Sequence, residues 1–318
     1  GTYGRVLRDA NDRVTGIIEY ADAAPPQREI DEINAGIYVV ETTFLAEYLP
    51  VICEGPPNTA QGEYYLTDLV AMAAEQAGAT GWTISDFRIV QGVNTRAHLA
   101  RAANFARERI NRRWMEAGVT MLDPRTTYVE PSVELARDVV LYPGVHLKGR
   151  TQVGEGCVIE NGTVLDNTRL APEVHVRANC YANEASVDSG SVLGPFAHLR
   201  PGADIGQNCK VGNYVEVKKA RLEDGVKAGH LSYLGDAHIG EETNVGAGTI
   251  TCNYDGKDKH RTIIGKRCFI GSNTALVAPV ELEDDAYIGA GSTVTDDVPA
   301  RALAVARGRQ RNIDGWND

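Results

Sequence analysis

Aliphatic side chains recur every six residues through most of this chain. Val129, Leu135, Leu141, Leu147, Val153, Ile159 and Leu165 keep that interval without a slip. It resumes at Val187, Leu193, Leu199, Ile205, Val211 and Val217, and again at Ile264, Ile270, Leu276, Leu282, Ile288 and Val294. Small or β-branched residues follow four places later, as at Val133, Val139, Val145, Thr151, Cys157 and Thr163. An α-helix repeats its buried face about every 3.6 residues and a flat strand about every two, so neither writes this period. A coil of short parallel strands with three flat faces does. Each face turns one aliphatic inward per six residues, and stacked rungs bury them as a continuous column. The sequence therefore predicts a parallel β-helix of hexapeptide repeats.

A chain of 318 residues exceeds the usual size of one domain, so two regions are expected. The net charge of -11 argues against a general nucleic-acid or membrane-surface binder while leaving room for a local basic pocket that takes a small anion. Cys53, Cys157, Cys180, Cys209, Cys252 and Cys268 form no Cys-x-x-Cys pair and no metal spacing with histidine. Several sit on the beat as small inward residues, which reads as reduced thiols in a cytoplasmic protein. There is no eighteen-residue apolar run and no signal peptide, so neither a membrane span nor export is expected. The chain opens on Gly1-Thr2-Tyr3-Gly4 without Met, which suggests that a preceding part of the first region is missing.

Residues 1–93 alternate strand-like runs (Arg5–Leu7, Gly16–Tyr20, Gly36–Glu41) with helical stretches near Thr42–Leu49 and Leu66–Gln76. These are too few units to close a doubly wound sheet, and they read as the trailing part of an α/β domain. Residues 94–118 form a linking helix, with Leu99, Ala103, Ala106, Ile110 and Trp114 on one face, Asn94 as its N-cap and Gly118 as its stop. Its arginines read as a solvated face rather than a nucleic-acid stripe. The β-helix occupies residues 119–298, and 299–318 form a polar, irregular tail. The beat breaks twice, between Leu165 and Val187 and at Thr249–Arg261, where an excursion carrying Asn, Tyr, Lys and His is a candidate ligand loop.

Cations concentrate between Arg200 and Lys259. Arg200 and Lys218 are eighteen residues apart, one full turn of such a coil, so they can rise from adjacent rungs and clamp one phosphate. Lys219, Lys227 and Lys259 lie nearby, and a solvated face is the competing account. His230, beside Gly229 and three residues before Tyr233, is a candidate general base, although a lone histidine is more often structural. The other histidines show no spacing for a metal site. Gly and Ala in Asn244-Val245-Gly246-Ala247-Gly248-Thr249 and Ile288-Gly289-Ala290-Gly291 leave backbone groups unshielded, as corners or as a narrow surface for an extended, amide-bearing ligand.

The segments Gly194–Ala203, Lys218–Leu222, His230–Asp236 and Asn244–Gly256 resemble the bacterial bifunctional N-acetylglucosamine-1-phosphate uridyltransferase/glucosamine-1-phosphate acetyltransferases. The resemblance runs from Gly1 to about Trp316, and the stretch Arg307–Trp316 is most like the actinobacterial branch. It implies a left-handed β-helix and a cytoplasmic homotrimer with active sites between subunits, the handedness coming from the family and running against the usual crossover rule. It implies acetyl transfer from acetyl-CoA to glucosamine 1-phosphate, with His230 as the base. Arg200, Lys218 and Lys259 match sugar-phosphate contacts, and Tyr233 and Asn244 match residues that hold the sugar. Ala247, Asn253, Tyr254, Ser272, Ala290 and Arg307 match positions that line acetyl-CoA.

In the first region Gly4, Glu19 and Asn34 match UDP-sugar contacts, and Asn94 matches both such a contact and a ligand of the catalytic Mg²⁺. The family's Gly-rich nucleotide loop, its lysine and the aspartate that shares the metal lie upstream of Gly1. The sequence as given is therefore expected to lack uridyltransferase activity on UTP, because backbone phosphate cradles have no substitute in what remains. Two other readings are another hexapeptide acyltransferase with a different acceptor, and a noncatalytic β-helix scaffold.

Overall fold

A strand of two or three residues cannot stand alone, so a coil of such strands is stable only if each rung lies on the next. That is the arrangement found in a computed structural model of the chain, which describes residues 2–57 and 62–316. The chain divides into two units, residues 1–103 and 104–318.

In the second unit the chain winds through three parallel sheets in rotation. Among the described residues the first face has eleven strands, from Thr120–Met121 to Leu303–Ala304, the second ten, from Tyr128–Val129 to Thr293–Val294, and the third nine, from Glu134–Leu135 to Val280–Leu282. The protein is thus mainly β, a parallel solenoid of hexapeptide turns. Leu141, Leu147, Ile159, Leu165, Leu193 and Leu199 are fully buried inside it, each worth about 1.5–3 kcal/mol of transfer free energy. The residues four places on are buried at the corners, and where they carry hydroxyls these donate to local carbonyls. Thr151 bonds Lys148 O at 2.7 Å, Thr274 bonds Gly271 O at 2.6 Å and Ser292 bonds Gly289 O at 2.6 Å. A buried hydroxyl so paired avoids the desolvation penalty.

The break in the beat after Leu165 has a local cause. Two corners are one residue short, Leu165 to Leu170 and Ala182 to Val187, and each turns on one non-glycine residue in the left-handed region, Asn167 at φ 46° and Glu184 at φ 47°. The same short corner recurs at Lys219, φ 45°, and Asp236, φ 47°. At the second break the chain leaves the coil after Ile250–Cys252 and rejoins it at Thr262–Ile264. This excursion is ordered: Tyr254 and Lys259 bridge antiparallel, and the Asp255 carboxylate accepts from the N–H groups of Lys257 and Asp258 at 2.8 and 2.7 Å. The pairing of Asp255 with His260 Nε2 at 2.6 Å leads the causes that hold its carboxyl down to about 2.

Three expectations are corrected. The coil does not end near residue 298, because Leu303–Ala304 pairs with Tyr287–Ile288 and adds a rung to the first face. The helix spans Arg96–Glu116, and its first turn is closed by Thr95 Oγ1, which accepts from His98 N–H at 3.1 Å, rather than by Asn94. Two of its arginines are not simply solvated: Arg107 lies 4.8 Å from the Tyr128 ring centroid and Arg113 4.7 Å from that of Trp114. None of the described helices is long and apolar enough to cross a membrane.

The first unit holds an antiparallel hairpin, Arg5–Arg8 with Val14–Ile18, and helices Pro25–Arg28, Thr42–Glu54 and Asp68–Gln76. Asp9 closes the hairpin turn by accepting from Asn11 and Arg13 N–H at 2.8 and 2.9 Å. Gly36–Glu41, expected as a strand, forms none.

Candidate active site

The solenoid carries its polar chemistry on two corners that flank the second face. Strands of that face, such as Glu216–Lys218 and Tyr233–Gly235, run from one corner to the other.

At the corner after the second face, cations converge. His198–Leu199 pairs in register with Glu216–Val217, and Arg200 N–H donates to Val217 O, so Arg200 and Lys218 follow on adjacent rungs. Lys259 reaches the same point from the excursion and makes a side-chain contact with Lys218. That contact, with Arg200 nearby, holds the Lys218 ammonium below the usual lysine range, only partly offset by Asp236. Arg200 Nη1 donates to Glu216 at 2.7 Å. Tyr233 folds back along its strand so that its phenol fills the space a side chain at Gly235 would need. Asn253 is buried there, with Nδ2 donating to Asp236 at 2.5 Å and lying 3.5 Å from the Tyr233 hydroxyl. Like charges gathered in this way lower their mutual repulsion by taking up an anion.

At the corner before the second face stands a column one residue wide. Asn213 and His230 are register partners, Gly248 N–H donates to Leu231 O, Asn273 N–H to Ala247 O, and Gly291 N–H to Ser272 O. Arg307 Nη1 donates to Ala290 O. Asn213, His230, Ala247, Ser272, Ala290 and Arg307 therefore succeed one another rung by rung. Gly246 and Gly271 belong to it as well, since a Cβ on either would meet the backbone of the next rung. His230 is exposed, and its Nδ1 lies 2.6 Å from Asn213 Oδ1.

The structure therefore separates residues that the sequence grouped together. Arg200, Lys218, Tyr233 and Lys259 share one corner, joined by Asn253, with Tyr254 next to it in the excursion. Ala247, Ser272, Ala290 and Arg307 share the other with His230. Asn244 lies on the first face, in register with Lys227 and Phe269. Glu216, Asp236 and Asn213 went unnoticed in the sequence. The signal that finds them is the one-coil offset, eighteen residues from Lys218 to Asp236 and seventeen from Asn213 to His230.

In the first unit Gly4, Glu19 and Asn34 do meet: Asn34 N–H donates to Gly4 O at 2.8 Å, and a Cβ on Gly4 would touch the Glu19 carboxylate. Asn94 is exposed, and among the described residues no His, Cys, Asp or Glu cluster converges to hold a metal. Asn94 by itself, one exposed neutral amide, does not suffice to hold an Mg²⁺ ion. The six cysteines are free, and burial pushes the Cys180 thiol up to about 11.

The profile of a family described as the hexapeptide repeat of succinyl-transferase matches residues 151–167 and 261–296. The bifunctional protein GlmU of Trichlorobacter lovleyi is 47% identical over 315 residues, covering 99% of this chain and 68% of that protein. This chain belongs to the GlmU family. GlmU of Shouchella clausii is 45% identical over 319 residues at the same coverage. Membership agrees with the enzyme expected from the sequence, an acetyltransferase in a GlmU family that is also a uridyltransferase. Among solved structures, the Francisella novicida UDP-N-acetylglucosamine acyltransferase aligns at 11% identity with a TM-score of 0.34, over 59% of this chain and 67% of that one. That likeness is too slight to add to the argument.

Proposed function

We propose that the chain transfers the acetyl group of acetyl-CoA to the amine of glucosamine 1-phosphate, a step toward UDP-N-acetylglucosamine for the cell envelope, in the cytoplasm and as a homotrimer of left-handed coils. The observation that carries this reading is the convergence of Arg200, Lys218 and Lys259 one strand's length from an imidazole. A three-residue strand is about 10 Å long. Side chains reaching in from its two ends leave room for a monosaccharide whose phosphate meets the cations and whose amine meets His230.

The chemistry then has one proton to place. The neutral amine attacks the thioester carbonyl, a C–N bond forms, the C–S bond breaks, and the sulfur leaves as CoA thiolate. His230 Nε2 takes the proton that the nitrogen sheds and returns it to the departing sulfur. If the nitrogen kept that proton after the C–N bond formed it would be expelled again in place of the sulfur, so the base is the group on which the rate depends. The column from Ala247 through Ser272 and Ala290 to Arg307 offers unshielded backbone along which the pantetheine amides of acetyl-CoA can run, with His230 at its head.

The test is thiol release from acetyl-CoA with and without glucosamine 1-phosphate. The parent chain is expected to give acceptor-dependent release, and His230→Ala to lower kcat about 10²-fold or more. Equal rates with an unphosphorylated amino sugar would reassign the acceptor, and full activity of His230→Ala would remove the catalytic reading.

A further inference from the structure

We propose that Asn213 is a positioning residue for the acetyl transfer: it fixes the tautomer and ring plane of His230, so that Nε2 presents a lone pair toward the acceptor amine. The inference rests on the reading of His230 as the base and adds the group that makes it one.

The geometry is built from both strands. Lys210–Asn213 pairs with Lys227–His230, with Asn213 directly opposite His230. Asn213 Oδ1 lies 2.6 Å from His230 Nδ1. A carboxamide oxygen has no proton to give, so in the neutral ring Nδ1 carries the hydrogen and Nε2 does not. The main chain of Asn213 holds the next residue too: its carbonyl accepts from Leu231 N–H at 3.0 Å, at a position held in the left-handed region at φ 48°. Ser232 Oγ donates to the His230 carbonyl at 2.9 Å, closing the turn from the other side. Ring, peptide and turn are all tied to adjacent groups, which suits an exposed side chain that must hold one orientation.

The residues before this pair serve the same end. Gly212 lies against Gly229, and a Cβ on Gly212 would run into the Gly229 carbonyl. Glycine there lets the two strands close until the amide reaches the imidazole. The contrast with other histidines is informative. His175, His238 and His260 each turn Nε2 toward a carboxylate, Glu160, Glu223 and Asp255 respectively, at 2.7, 2.9 and 2.6 Å. Those rings are engaged at Nε2 by carboxylates. His230 is instead engaged at Nδ1, an acceptor there orienting the ring and leaving Nε2 without a carboxylate.

Parent, Asn213→Ala, Asn213→Asp and His230→Ala chains decide the matter by steady-state kinetics and by two-bond ¹H–¹⁵N correlation of ¹⁵N-histidine protein, with the His230→Ala spectrum supplying the assignment. The parent is expected to show the Nδ1–H tautomer at His230, and Asn213→Ala a mixture. Asn213→Ala is expected to lose about tenfold to a hundredfold in kcat while KM for both substrates stays within about twofold. Asn213→Asp, whose carboxylate accepts the same hydrogen, restores most of the loss. Parent-like kcat in Asn213→Ala, a parent ring protonated at Nε2, or failure of Asp to restore activity would each overturn the proposal. Should His230→Ala itself stay active, the reading of the base fails, and that result is visible independently of any Asn213 variant.

Discussion

At the scale of single residues, Lys218 gives the sharpest handle on the anion site. Its ammonium is held below the usual lysine range first by Lys259 and then by Arg200. A group with a lowered pKa sheds its proton earlier as pH rises. Affinity for a phosphorylated acceptor should therefore fall on the alkaline side sooner than an ordinary lysine would allow. Removing the neighbour has two opposed effects. Lys259→Ala is expected to take away one proposed phosphate contact and raise KM, yet to relieve Lys218 and move the alkaline limb of KM to higher pH. A plot of acceptor KM against pH for parent and variant checks both signs, and an unmoved limb would show that the two amines do not interact. Arg200 and Lys218 were legible in the sequence because stacking by one coil puts residues eighteen apart together, and Lys259 because it lies in the excursion. Asp236 and Asn213 were not. Each reads locally as an ordinary turn residue, and only the rung above or below reveals what it faces.

At the scale of elements, the same regularity explains both what was legible and what was missed. Each short strand writes one inward aliphatic, so the coil showed itself in the beat. The irregular corners did not, because a five-residue corner such as the one at Lys219 or Asp236 looks in sequence like lost register rather than a tighter turn. The last rung, Leu303–Ala304, was missed because its step from Tyr287–Ile288 breaks the interval. Outside the core, rungs are joined by stacked rings in register: Tyr128 on His146 at 4.5 Å, Phe196 on Tyr214 at 5.3 Å and Phe269 on Tyr287 at 4.6 Å. Where strands approach most closely a side chain is excluded altogether. Gly212→Ala should push its strand away from Gly229, destabilising the chain by about 1–3 kcal/mol as overpacking does. It should also lower kcat, since Asn213 and His230 part company. Thermal unfolding and kinetics of this variant test the coupling, and a loss of stability without loss of kcat would show that strand spacing does not govern the site.

At the scale of the whole molecule, the corner that carries His230 also exposes an apolar column. Phe196, Tyr214 and Leu231 stand on successive rungs at 44%, 57% and 61% exposure. A contiguous apolar ridge of this kind on a water-facing surface marks a contact. Its place decides what the contact means, because Leu231 is the residue next to the proposed base, His230. In the proposed trimer a neighbouring coil seated on this ridge would wall the acceptor site and exclude water from it. Tyr214→Glu puts a charge in the middle of the column and leaves Arg200, Lys218, Asn213 and His230 themselves unreplaced. The expected result is dissociation, read as a fall in mass by sedimentation, together with loss of acceptor-dependent thiol release while the circular dichroism of the solenoid persists. The two readouts must move together, because an active monomer would mean that one coil completes the site by itself, and an undissociated variant would mean that this ridge lies outside the subunit contact.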